Sequence, residues 1–215
     1  MILGLIGAVV LASGSLLKAI AVLEGIDGSG KTSIIEDLML YLPSHLTTSR
    51  SAEPYFLPPF AISADPVTAT LQLAQARWRH CRLLAESAKH WSADHVHLID
   101  RFDMSMLAYQ GYGDGVDKGL IRTLNRHVTQ PLTDIFQPCY IYLDVPVEVA
   151  VQRVRERGES VSEAQIQRLE RVRDGYLDIC DQGCDEFKSD YAIVIDANRP
   201  FREVFQEVLE CITRW

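Results

Sequence analysis

The chain has 215 residues and a mass of 24.2 kDa, which suits one α/β domain with room for a complete active site. With 47% hydrophobic and 23% charged residues, its composition excludes disorder, collagen-like repetition and coiled coil. Its 21 Lys and Arg against 29 Asp and Glu leave a net charge of -8, the wrong sign for gripping a polyphosphate backbone, so no nucleic-acid partner is expected.

Met1 to Leu17 carries no charge, but it is interrupted by Gly4, Gly7, Ser13, Gly14 and Ser15 and has no basic segment before it. It is short of the roughly 20 apolar residues a span needs, and it lacks the basic start of a secretory signal. Residues 1–17 therefore read as an apolar extension packed on the domain, with a membrane-contacting tail as the other reading; a membrane partner is not expected. Residues 18–215 read as one domain.

Lys18 to Leu23 has the apolar run of a buried strand and ends at Glu24-Gly25, where the chain must turn. Ile34, Ile35, Leu38 and Leu42 recur on one helical face, predicting a helix over 31–42 that Pro43 stops. Leu46 to Arg50 is a weaker second strand, followed by a Pro-rich loop over 51–64. Asp65-Pro66 then reads as an N-cap with proline at the first helical position, opening a long helix toward Trp91. Val96 to Ile99 is a third strand running into Asp100, and Cys139 to Leu143 a fourth ending at Asp144. A helix over 146–157 follows, then a capping box of Ser162 and Gln165 opening a helix through Asp181. Ala192 to Ile195 is a fifth strand, and 201–215 a final amphipathic helix. Five short apolar strands separated by helices predict a three-layer α/β fold, a five-stranded parallel sheet with helices on both faces. In such folds ligands bind beyond the carboxyl ends of the strands.

Gly25-Ile26-Asp27-Gly28-Ser29-Gly30-Lys31-Thr32 satisfies G-x-x-x-x-G-K-[ST] and lies between the predicted strand and helix, the context this phosphate-binding loop requires. The glycines let successive N–H groups point inward at phosphate oxygens, and the helix N-terminus adds its positive dipole end. Lys31 is placed to reach the β- and γ-phosphates of ATP, and the Thr32 hydroxyl to ligate Mg²⁺. Asp100, at the carboxyl end of its strand, suits Mg²⁺ or its water shell. Arg101 beside it offers a fork of donors for a second phosphate, with a surface salt bridge as the plainer reading.

Leu23 to Thr32, then Glu53-Pro54, then Asp100-Arg101-Phe102-Asp103-Met104-Ser105 with Ala108-Tyr109-Gln110-Gly111, then Tyr142-Leu143-Asp144-Val145-Pro146, together resemble the thymidylate kinase family. Arg171-Val172-Arg173 with Gly175-Tyr176-Leu177, and Val194 to Ala197, are similar to its closing segments. The resemblance implies ATP-dependent transfer of a phosphoryl group to dTMP, giving dTDP, with Mg²⁺. It implies that Asp27 holds the sugar 3'-hydroxyl and Arg101 the acceptor phosphate. Tyr109 would crowd the 2' position, Gln110 lie near the thymine or its sugar, Ser105 contact the acceptor nucleotide, and Glu53 shape the acceptor site or contact magnesium-bound water. A cytoplasmic homodimer is also implied, with the helix over 66–91 as its candidate contact.

Family members supply a catalytic arginine from the phosphate loop or from a lid. This loop has Gly28 and Ser29 in its variable positions, so Arg153, Arg155 and Arg157, in a lid near 153–163, are the candidates to neutralise charge on the moving phosphoryl group. The family's Arg-Glu-Pro is here Ala52-Glu53-Pro54, with Arg50 as a possible substitute. Its Phe-Ala-Ala-x-Arg is here Leu73-Ala74-Gln75-Ala76-Arg77, so base stacking should be weaker and Arg77 is the candidate base or phosphate contact, with Arg79 two residues on almost as good. These departures leave open another or modified deoxypyrimidine monophosphate, a deoxynucleoside acceptor with Glu53 as base, or a regulatory homologue without kinase activity. Five cysteines without a C-x-x-C pair fit a reducing compartment, and Cys180 and Cys184 alone make a poor zinc site. His95 and His97 alternate along a strand and are read as packing.

Overall fold

The computed structural model describes residues 19–52, 63–181 and 192–214. Five parallel strands, β1 (Ala19–Glu24), β2 (Thr47–Ala52), β3 (His95–Asp100), β4 (Cys139–Asp144) and β5 (Ala192–Asp196), form one sheet in the order β2-β3-β1-β4-β5. β1 is central, and five of its six residues are buried because helices cover the sheet on both sides. Register brings Leu23 opposite Asp100 of β3 and Ile141 of β4, so the chain turns that follow β1, β3 and β4 open onto one edge. The apolar segment 1–17 and the loop residues Glu53 and Pro54 lie outside the described residues.

Among the described residues the α-helices are α1 (Lys31–Tyr41), α2 (Pro66–Ala88), α3 (Asp103–Met106), α4 (Lys118–Thr133), α5 (Val147–Glu156), α6 (Glu163–Asp181) and α7 (Phe201–Thr213). As the sequence predicts, Asp65 caps α2, its carboxylate accepting the Thr68 N–H at 2.7 Å with Pro66 in the first turn. Ser162 and Gln165 form the capping box at the start of α6. Two elements go beyond the sequence reading. α3 runs into a π-helical turn over Leu107–Gly113, and α4 is a full helix capped by Asp117 on the Leu120 N–H. Its buried stripe mixes Ile121 and Leu132 with Asn125 and Thr129, and those polar residues mask the helical periodicity.

Along the β2–β3 edge, hydroxyls and imidazoles alternate in one hydrogen-bonded chain. Ser49 bridges His95 Nε2 and His97 Nδ1, each at 2.7 Å, and Ser51 bridges His97 Nε2 at 2.8 Å and His80 Nε2 of α2 at 2.7 Å. Trp91 stacks on both strand histidines. His95 and His97 are thus packing groups, as expected, their ring nitrogens bonded to neighbouring hydroxyls. The described cysteines Cys81, Cys139, Cys180 and Cys211 are free thiols.

Candidate active site

The loop Gly25–Gly30 joins β1 to α1. Gly25, Gly28 and Gly30 have φ of 147°, 86° and 98°, which side-chain-bearing residues rarely adopt. A Cβ on Gly28 would sit 2.4 Å from the Ala150 carbonyl oxygen, so α5 lies directly against the loop backbone. Lys31 is buried and donates from Nζ to the carbonyls of Gly25 (3.0 Å) and Ile26 (2.9 Å) and to Ser29 Oγ (3.3 Å). Burial, and then the nearby Arg101 charge, lower its pKa to about 7. The carboxylates of Asp100, Asp27 and Glu24 act the other way and favour the ammonium form.

Thr32 Oγ1 donates to Asp100 Oδ2 at 3.1 Å, joining the loop to the end of β3. The other Asp100 oxygen is buried without a hydrogen-bond partner. A hydroxyl and a carboxylate oxygen at the end of a phosphate loop fit Mg²⁺, which takes one or two protein oxygens together with substrate phosphates. Among the described residues no group of three or more His, Cys, Asp or Glu could hold a metal by itself.

Arg101 follows with φ 64°, a strained conformation for an arginine, held by its N–H on the Leu23 carbonyl at 3.0 Å. Its Nη2 donates to Asp27 Oδ1 at 2.5 Å and to the Tyr109 hydroxyl at 3.1 Å, which also accepts the Asp27 N–H at 3.2 Å. Burial works against the Arg101 charge, but Tyr109, Tyr176, Asp27 and Glu24 more than offset it and keep the guanidinium charged. Burial also acts to raise the Asp27 carboxyl, yet Arg101 and Lys31 hold it below the usual carboxylate range. Asp27, Arg101 and Tyr109, predicted separately, thus form one closed hydrogen-bonded triangle beside Lys31.

Ser105 is buried beneath this triangle, its hydroxyl donating to Glu24 Oε2 at 2.5 Å and within hydrogen-bond reach of the Tyr176 hydroxyl at 2.7 Å. Glu24, fully buried, also accepts the Phe102 N–H (2.8 Å), the Ser105 N–H (3.3 Å) and the Tyr176 hydroxyl (2.9 Å). Sequence reasoning took Glu24 only as a turn residue; a carboxylate closing an otherwise apolar strand was the available signal. Gln110 is buried in the π-helical turn that also carries Tyr109.

Arg153, Arg155 and Arg157 are placed unequally. Arg153 donates to the carbonyls of Gly28 (3.3 Å) and Ala197 (3.1 Å), so it braces the phosphate loop, while Arg155 reaches only the Val161 carbonyl at 3.3 Å. Arg157 is exposed, pairs with Glu159 at 3.3 Å, and its charge helps to hold the Asp27 carboxyl down. Leu73 is half-buried against the core. Arg77 is fully buried, donating to Asn125 Oδ1 at 2.7 Å and to the Phe102 carbonyl at 2.8 Å, which ties α2 to α4 and to the loop carrying Arg101. Ala52 pairs in register with Asp100, and Arg50 lies two residues back on the same strand.

A phosphate-binding loop on the carboxyl edge of one parallel sheet, with the part-buried Arg101 guanidinium beside it, defines the class: a P-loop kinase fold. Comparison with known proteins narrows it. The family model described as Thymidylate kinase matches residues 23–208. A thymidylate kinase of Synechococcus sp. (strain CC9311) is 34% identical over 206 residues, covering 87% of this chain and 92% of that protein. One from Bacillus anthracis is 28% identical, covering 88% and 94%. The crystal structure of thymidylate kinase from Ehrlichia chaffeensis superposes with a TM-score of 0.67 at 25% identity, covering 91% of this chain and 99% of that one. The chain belongs to the thymidylate kinase family.

Proposed function

We propose that the protein transfers the γ-phosphoryl group of ATP to dTMP, giving dTDP. The observation that carries this reading is the Asp27–Arg101–Tyr109 triangle beside Lys31, an acceptor-side arrangement in contact with the donor loop. An oxygen of the acceptor 5'-phosphate attacks the γ-phosphorus, and the new P–O bond forms as the bond to the bridging oxygen of the departing ADP breaks. That oxygen is already ionised at neutral pH, so positioning and charge neutralisation suffice without a general base.

Lys31 and the loop N–H groups hold the donor phosphates, Arg101 the acceptor phosphate, and Asp27 the sugar 3'-hydroxyl. Arg157, exposed at the lid, supplies charge to the moving phosphoryl group, with Arg153 bracing the loop beneath it. Thr32 and Asp100 would hold Mg²⁺, which when bound neutralises charge on the β- and γ-phosphates. The protein acts as a cytoplasmic homodimer. Val67, Leu71 and Trp78, exposed on one face of α2, support that contact. Among the described residues no helix is long and apolar enough to cross a membrane.

The test is an ADP-release assay with ATP and Mg²⁺, presenting dTMP, dUMP, dCMP, dGMP, thymidine and a 5-substituted dUMP in parallel. Selective turnover of dTMP, abolished in Lys31→Met, is expected. Turnover of another acceptor alone would move the specificity, and activity surviving in Lys31→Met would sink the phosphate-loop assignment.

A further inference from the structure

Tyr109 is held from its ring as well as from its hydroxyl. The Arg101 Cζ lies 4.8 Å from the ring centroid and the Arg168 Cζ, from α6, lies 5.2 Å from it. Arg168 is only a third exposed, and it is aimed by a bidentate pair, Nε and Nη2 donating to the two Asp114 oxygens at 2.5 and 2.7 Å. Asp114 is the first residue past the π-helical turn, and its backbone N–H bonds the carbonyl of Tyr109 itself at 2.9 Å. The contacts therefore close a ring: Tyr109 backbone, Asp114 backbone, Asp114 carboxylate, Arg168 guanidinium, Tyr109 aromatic face.

The neighbouring turns of α6 fasten the same segment. Arg171 donates through Nε and Nη2 to the Gly113 carbonyl at 3.2 and 3.0 Å, and Tyr112 donates to Asp178. A Cβ on Gly113 would lie 2.7 Å from Val172 Cγ2, and one on Gly175 would lie 2.5 Å from the Tyr112 ring. The approach is close enough to transmit a shift of α6 to the Tyr109 ring. α6 begins where the lid stretch ends, and the charges of both Tyr109 and Asp27 act on Arg168.

We infer that Arg168, aimed by Asp114, is a positioning residue for Tyr109 and thereby sets the discrimination between 2'-deoxyribose and ribose acceptors. The inference rests on the reading of Tyr109 as the group that crowds the 2' position. A phenol free to swing about its side-chain bonds excludes a hydroxyl weakly, because the enzyme can move the ring aside at small cost. A ring held by two guanidinium contacts and hydrogen-bonded at its tip excludes it strongly. Arg168 acts only through that ring and need not touch the reacting atoms. Its loss should change the choice between acceptors more than the rate with the correct one.

The test compares dTMP with ribothymidine 5'-monophosphate, which differ only at the 2' position, as acceptors for wild type, Arg168→Met, Arg168→Lys and Tyr109→Ala, with thermal unfolding measured on each. Arg168→Met keeps the stem and removes the guanidinium. We expect it to lower the ratio of kcat/KM for dTMP over the ribonucleotide about tenfold, the scale of one partly desolvated cation–π contact, while kcat with dTMP stays within about threefold of wild type. Arg168→Lys, which keeps a cation over the ring and a single bond to Asp114, should recover part of the ratio. An unchanged ratio in Arg168→Met overturns the inference, as does a loss of kcat with the ratio intact. If Tyr109→Ala relaxes the ratio and Arg168→Met does not, the inference fails and the reading of Tyr109 stands. If Tyr109→Ala leaves the ratio untouched, the reading of Tyr109 falls and the inference with it.

Discussion

The histidine chain at the β2–β3 edge makes stability depend on pH in a way the structure quantifies. His97 is lowered to about 3, first by burial and then by the charges of His80 and His95; His80 is lowered to about 4, first by burial and then by Arg77 on the same helix. Both fall below the usual value for histidine, about 6.5, at which the unfolded chain titrates. Between those values the unfolded state binds more protons than the native state, so stability is full above about pH 6.5 and is lost as pH falls toward the native values. From about pH 7 to about pH 5 each histidine costs roughly 2 kcal/mol by linkage, about 4 kcal/mol together, a large share of a typical 5–15 kcal/mol stability. Carboxylates held below their ordinary range add little until the pH is lower still. Urea unfolding at the two pH values should show this loss, and substituting His97→Gln, which keeps an amide able to bond Ser49 or Ser51, should remove about half of it. NMR titration of the wild-type imidazole Cε1–H resonances checks the cause independently of any variant. A stability change below about 1 kcal/mol over this range, or both buried imidazoles titrating near 6.5, would refute the reasoning.

Three further outcomes are expected. Glu24→Gln places an amide N–H₂ among four donors, so stability should fall by about 2–3 kcal/mol in thermal unfolding, and kcat/KM for dTMP should fall more than affinity for ATP as the Arg101 loop loosens. A larger effect on ATP binding than on dTMP would count against Glu24 as the support of the acceptor side. Gly28→Ala sets a Cβ against the Ala150 carbonyl at a φ of 86°, so calorimetric ATP binding should weaken by about tenfold or more with a stability loss of about 1–3 kcal/mol. Leu73→Phe restores an aromatic face where the sequence predicts weak base stacking, and KM for dTMP should drop about two- to tenfold with kcat little changed. An unchanged KM would place Leu73 away from the base.

Local chemistry made the donor half of this protein legible from the sequence. The glycine spacing, Lys31, Thr32 and an apolar strand ending in Asp100 each encode a backbone shape or a ligand preference over a few consecutive residues, and the strands, loop and helix that carry them lie where expected. The caps Asp65 and Ser162 and the five strands were readable for the same reason, since hydrogen bonds to the next turn and apolar runs depend on near neighbours alone. The helix over 118–133 and the π-helical turn before it were not: Asn125 is buried by partners from α2 and the segment after Arg101, and Thr129 bonds back to the Asn125 carbonyl of its own helix, so polar residues occupy the buried stripe. Only the tertiary structure decided that Arg77 is sealed between α2 and α4, that Arg153 braces the loop while Arg157 pairs with Glu159, and that Glu24, Ser105 and Tyr176 form one buried support. The closure of Asp27, Arg101 and Tyr109 into a triangle, and of Asp114 and Arg168 around the Tyr109 ring, joins residues from three segments far apart in the chain. The sequence by itself determined which groups could meet phosphate; packing of parallel strands and of α6 on the π-helical turn decided which of them meet one another, because those contacts depend on distances across the sheet that no local pattern encodes.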